Sequence, residues 1–136
     1  MATHVKFTVT HYRRPEHTHE EFMKWLVEEH VRLAMPVFKR HGVINYSLFT
    51  TPDPMNAALR AEMGGHRAGW DVADFDCFIE YTLKDAGTIK AILSDPEWAV
   101  SVENEPKWVD RSRALMSIGH VTPYLVESGE VVNMPK

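Results

Sequence analysis

Two hydrophobic periods take turns along this chain, and their order restricts the fold more than any other feature. In "HVKFTVTHY" (4–12), Val5, Phe7 and Val9 alternate with Lys6, Thr8 and Thr10, the two-residue period of a half-buried strand. Thr18 and Glu21 then stand at capping-box spacing, where the threonine oxygen accepts a first-turn amide and the glutamate reaches back. A helix is predicted from near Thr18. Phe22, Leu26, Leu33 and Val37 recur along it at helical spacing, Pro36 should kink or restart it, and His41-Gly42 should stop it. "VINYSLFTT" (43–51) is a second strand, rich in β-branched and aromatic residues. Residues 52–71 interrupt the pattern as an insertion, with a short helix over 56–63 ended by Gly64-Gly65 and a lid-like loop beyond. A third strand spans 74–82, with Phe75, Cys77, Ile79 and Tyr81 on one face and Asp76, Phe78 and Glu80 on the other. A second helix in "KDAGTIKAILSD", a helical piece interrupted at Pro106 and a last strand within 114–126 complete the string.

The resulting order, β-α-β-β-α-β, is the α+β ferredoxin-like arrangement, a four-stranded antiparallel sheet with helices on one face. The 136 residues hold no repeat, linker or low-complexity tract, so a single domain over 1–136 is expected. The sheet's other face is left bare, and packing two such faces together gives a homodimer.

Composition removes several classes of function. A net charge of −4 offers no attraction for phosphate backbones or anionic lipid, so neither nucleic acid nor membrane is an expected partner. No apolar run is long enough to span a bilayer, and the N-terminal residues lack the basic-then-apolar order of a secretory signal. The single cysteine, Cys77, cannot form an internal disulfide and lies in an apolar strand, which fits a reducing, cytoplasmic setting and a buried thiol more than a nucleophile. There is no G-x-G-x-x-G, Walker or G-x-S-x-G motif. Four tryptophans and eight histidines remain as the chemically distinctive content.

The stretch "HTHEEFMKWLVEEHVRLAMPVFKRHGVINYSLF", with His30 and Leu33 in a His-x-x-Leu helix end and Tyr46 on the following strand, together with the later "SDPEW", resembles the EthD branch of the dimeric α/β-barrel superfamily. The 52–71 insertion and the ending "GHVTPYLVESGE" are most similar to EthD-like proteins of fungal aromatic polyketide pathways. The resemblance implies a cofactor-independent lyase that decarboxylates an aromatic polyketide acid of the atrochrysone carboxylic acid kind, with no metal. Superfamily relatives imply alternatives: a polyketide cyclase or dehydratase, or a cofactor-free anthrone oxygenase. From a different class, a ligand-binding module without turnover fits the same pocket. Plant olivetolic-acid-cyclase-like barrels carry a catalytic histidine where Trp98 stands here, so that machinery does not transfer.

Among candidate residues, His30 lies at the edge of the apolar stripe and points inward. A lone histidine there is more often a satisfied core group, but the family pattern favours a proton-transfer role. His120, beside Gly119 on the last strand, is a second candidate for proton donation, and Tyr46 for binding a phenol or ketone oxygen. His66, Arg67 and Trp70 of the insertion, with Tyr81 and Trp98, are expected to bind substrate; Arg67 would suit a carboxylate. The structural reading wins for His41, at a helix C-terminus where a cation favours the dipole, while His17-x-His19 is a weak metal signal. Asp76 and Glu80 read as sheet-face carboxylates, solvated or at an interface.

Overall fold

A computed structural model describes residues 4–136 and contains β1 (Val5–His11), α1 (His19–Trp25), a π-helical turn (Leu26–Val31), α2 (Arg32–Arg40), β2 (Asn45–Thr50), α3 (Asp53–Met63), β3 (Cys77–Leu83), α4 (Gly87–Leu93), α5 (Pro96–Ser101), α6 (Glu105–Trp108) and β4 (Leu115–Gly119). The four strands form one antiparallel sheet in the order β2-β3-β1-β4, the ferredoxin-like topology. Register places Val5, Phe7, Val9 and His11 opposite Leu83, Tyr81, Ile79 and Cys77, so the in-facing rows of the two central strands coincide. Those rows meet Phe22, Leu26, Val37 and Phe38 from the helices, forming one core. On the bare face, Thr8, Ser47, Glu80 and Ser117 lie among the aromatic Phe49 and Phe78 and the aliphatic Leu115. That face is more mixed than an apolar sheet.

The first helix begins as its sequence dictates. Thr18 Oγ1 accepts the Glu21 amide at 3.1 Å and the Glu21 carboxylate accepts the Thr18 amide at 2.8 Å, closing the capping box. Its interior departs from expectation. The helix does not restart at Pro36, which lies inside α2; the irregularity in its hydrogen bonding comes earlier, as the π-helical turn that contains His30. Such a turn holds one residue more than an α-turn, which rotates the buried side of the downstream helix by about 100°. Burial shows the rotation: Phe22, Trp25 and Leu26 are buried before it, and Ala34, Val37 and Phe38 after it, whereas Leu33, on the extrapolated stripe, is only half-buried.

Three further expectations are corrected. α3 starts at Asp53 because prolines are tolerated in a first helical turn, and none of its residues is buried. The break between α5 and α6 falls at 102–104, with Pro106 inside the first turn of α6 and not at the interruption. Asp76 precedes β3 and is 3% exposed; it is neither solvated nor on a sheet face. Its carboxylate accepts the Arg13 amide at 2.7 Å, the Arg13 guanidinium at 2.6 Å and His19 Nδ1–H at 2.8 Å, while its own amide donates to the His11 carbonyl at 3.0 Å. Burial alone would raise this carboxyl's pKa, but the Arg13 and His19 hydrogen bonds outweigh it and the net shift is downward. His19 is thereby a structural ligand of Asp76, and no metal-binding cluster occurs among the described residues.

Candidate active site

Between the in-facing rows of β1 and β3 and the α4-to-α6 segment lies a cavity of about 340 Å³. Phe7, Val9, Ile79, Leu83, Ile92 and Val109 make most of its wall, and Met116 of β4 stands at its less covered side, 75% exposed. Into this apolar enclosure project His11, His30, Tyr81, Trp98, Glu105 and Arg111. A small-molecule site is commonly built this way, with few polar groups in an oily hollow at the lower end of ligand-pocket volumes.

His30 is 4% exposed and comes from the π-helical turn. Its Nδ1–H donates to the Ser101 carbonyl at 3.0 Å, which fixes a proton on Nδ1, so that in the neutral ring the lone pair is on Nε2. Trp25 lies nearly parallel to the ring at 6.0 Å between centroids, and Trp98 meets it edge-on at 5.6 Å. Those neighbours are themselves tied down. Trp25 Nε1–H donates to Glu29 at 2.8 Å, Asn104 donates to the same carboxylate oxygen at 3.0 Å, and Ser101 Oγ donates to the Trp98 carbonyl at 2.7 Å. The imidazole is thus held in one orientation and one tautomer.

His11, at the end of β1, enters the same cavity from the sheet side. It is 9% exposed, sits 6.5 Å from the Phe22 ring, and its enclosed Nδ1 has no hydrogen-bond partner. Burial and the nearby His30 lower its pKa to about 4, so it is a neutral imidazole at pH 7. Tyr81 is held as a phenol: burial pushes its pKa well above the ordinary tyrosine value, with Tyr46 adding to the effect.

The sequence-derived candidates divide by position. His30, Tyr81 and Trp98 meet at the cavity. Tyr46 stands opposite Tyr81 on the neighbouring strand β2, outside the cavity lining, its ring 5.0 Å from Tyr81 and 5.0 Å from Phe38, with a buried hydroxyl that has no partner and a pKa raised first by burial. His120 is exposed beyond β4, where Nδ1–H donates to the His4 carbonyl at 3.0 Å. His66, Arg67 and Trp70 lie after α3 on the exposed insertion, Arg67 over the Trp70 ring at 5.1 Å, and they do not line this cavity. Sequence reasoning passes over His11, Glu105 and Arg111. For His11 a signal exists, since it continues the odd-numbered, in-facing row Val5-Phe7-Val9; Glu105 and Arg111 reach the cavity only through tertiary folding.

Comparison with known proteins agrees with this architecture. A model of the EthD domain matches residues 14–112. The chain is 29% identical over 132 residues to the dehydratase iacD of Pestalotiopsis fici, covering 97% of this chain and 95% of that protein. It is 24% identical to the dehydratase aurZ of Gibberella zeae (96% and 84% covered) and 23% identical to the decarboxylase AgnL1 of Paecilomyces divaricatus (92% and 83%). Among solved structures, an EthD family protein of Bacillus halodurans superposes with a TM-score of 0.58 at 16% identity (88% and 99% covered). A dimeric ferredoxin-like protein of Bacteroides fragilis gives 0.59 at 10% identity (88% and 97%), a likeness of fold.

Proposed function

The chain belongs to the EthD domain family, and from that premise we propose that it is a lyase that eliminates water from a hydroxylated polyketide on the way to an aromatic ring, with His30 as the proton-transfer group. The observation that carries this reading is the Nδ1–H to Ser101 hydrogen bond, which presents Nε2 of His30 as a base inside an apolar cavity. Elimination needs little more. Nε2 takes a proton from a carbon next to a ketone, and the C–H electron pair forms a C=C bond as the β-hydroxyl departs. The proton then leaves His30 with that hydroxide as water. Trp98 and the aliphatic wall receive the flat ring system, and Tyr81, a phenol at every working pH, supplies a hydrogen bond. The dehydratases iacD and aurZ, similar over nearly the whole chain, support this reaction.

Decarboxylation, the reaction implied by the sequence resemblance, is a second reading with its own support. Arg111 at the cavity could receive a carboxylate, and decarboxylases occur among the relatives. There the same His30, protonated, would return a proton to the carbanion left by CO₂. In both readings the working unit is a homodimer closed over the bare sheet face, an assignment supported by the dimeric proteins that share this fold.

Mass spectrometry of a non-aromatised polyketide acid carrying a β-hydroxyketone, incubated with the purified protein, tests the proposal. Loss of 18 Da (about one water by the atom balance of elimination) is the expected product. CO₂ release with retention of the hydroxyl favours the second reading, and uptake of O₂ refutes both.

A further inference from the structure

The two cavity histidines differ in the nitrogen each can offer. His30 has its Nδ1 proton committed to Ser101, so it meets a ligand as an acceptor. In His11 it is Nδ1 that is sealed without a partner, at a residue only 9% exposed. A buried N–H without an acceptor costs more than an unused lone pair, and orphaned donors are correspondingly rarer than under-used acceptors. The lone pair therefore belongs on Nδ1 and the proton on Nε2, the nitrogen left to reach the cavity. His30, Tyr81, Glu105 and Arg111 are the other titratable groups that face this space.

We propose that His11 is a second catalytic residue of this cavity, donating an Nε2–H hydrogen bond to a ketone or phenol oxygen of the bound molecule while His30 addresses the adjacent C–H bond. The proposal rests on the reading of the cavity as a polyketide site. As Nε2 of His30 takes the proton, the C–H pair becomes a C=C bond and the carbonyl π pair moves onto oxygen; the His11 N–H meets that developing charge. When the C–O bond to the leaving hydroxyl breaks, the oxygen pair returns to re-form the carbonyl and the enolate C=C pair shifts to the bond between the α and β carbons. The C–O pair departs with the hydroxyl, which takes the proton from His30 and leaves as water. The His11 proton never transfers. A neutral imidazole suits this electrophilic task because it does not compete with His30 for the substrate proton.

Two measurements on the full-length protein test it. In long-range ¹H–¹⁵N spectra at pH 7, His11 should show the Nε2–H pattern and His30 the Nδ1–H pattern. The second uses 1,8-dihydroxyanthraquinone as the probe, with tryptophan quenching as the readout. Relative to wild type, His11→Phe, which fills the space without a donor, should weaken binding roughly tenfold, and His11→Gln, whose amide N–H can replace the donor, by no more than about threefold. An Nδ1–H or cationic His11, a wild type that leaves the probe unbound, equal losses in both variants, or unchanged binding in His11→Phe would overturn the proposal. If these results hold while the polyketide acid is not dehydrated, the reaction reading fails and His11 stands as a hydrogen-bond donor to the bound molecule, without the catalytic role.

Discussion

Asp76→Asn should destabilise this protein markedly, because it removes the charge from a buried, ion-paired carboxylate. The wild-type carboxylate is 3% exposed and takes three hydrogen bonds of 2.6 to 2.8 Å from Arg13 and His19, joining the end of β1, the start of α1 and the approach to β3. Removing one member of a buried ion pair costs about 3–5 kcal/mol, because its partner is left with a desolvated charge. Arg13 is 37% exposed and can regain water, and an asparagine oxygen can still accept one amide, so the lower limit applies: about 3 kcal/mol. For a chain of this length that corresponds to roughly a 10 °C fall in Tm. Urea unfolding at pH 7 with an unchanged m-value measures it directly. The pH dependence has a definite sign. The folded-state pKa of Asp76 is lowered, so its stabilisation is present above the unfolded value near about 3.9 and is lost as pH falls through the folded value. The gap between wild type and variant should therefore close in strong acid. A loss below about 1 kcal/mol at pH 7, or a gap that stays constant down to pH 2, would refute the argument.

The same geometry sets three other outcomes. His30→Gln should fold normally by circular dichroism yet lose about 10²- to 10⁴-fold in turnover of the polyketide acid, the usual size of an acid–base contribution; undiminished turnover removes His30 from the chemistry. Cys77, fully buried with its thiol pushed up to about 12 chiefly by burial, should resist Ellman's reagent at pH 8 in native protein and react at once in 8 M urea. Thr18→Ala should cost about 1 kcal/mol by losing the capping box, and Thr18→Ser nearly nothing, as thermal unfolding can check.

The fold is legible because its strongest signals are local. Period-two alternation in 5–11 and 77–83 and the Thr18–Glu21 box each declare an element without reference to the rest of the chain. Asp76 misleads for the opposite reason. In the sequence it continues the alternation of β3, but in space it is captured by Arg13 and His19 from 57 to 63 residues away. The candidate site shows the same division. His30 can be placed inward by helix geometry alone, whereas Arg111 and Glu105 approach it only once α6 has folded back across the sheet. The loop residues His66, Arg67 and Trp70 suggest a lid by composition, and composition carries no information on distance from a cavity.

The π-helical turn also bears on how this chain is aligned with others. Upstream of it the buried side keeps one helical phase, downstream another, and the extra residue that joins them leaves no mark in composition or hydropathy. A relative with an uninterrupted helix would match one half in register and the other half one position out, so the equivalent of His30 is fixed only by allowing a single-residue gap between Leu26 and Val31. Deleting one residue there would turn the imbalance into geometry: with α2 held against the sheet by Val37 and Phe38, the segment bearing Phe22 would have to swing its packed side away by about 100°. The helix therefore tolerates changes of side chain more readily than changes of length.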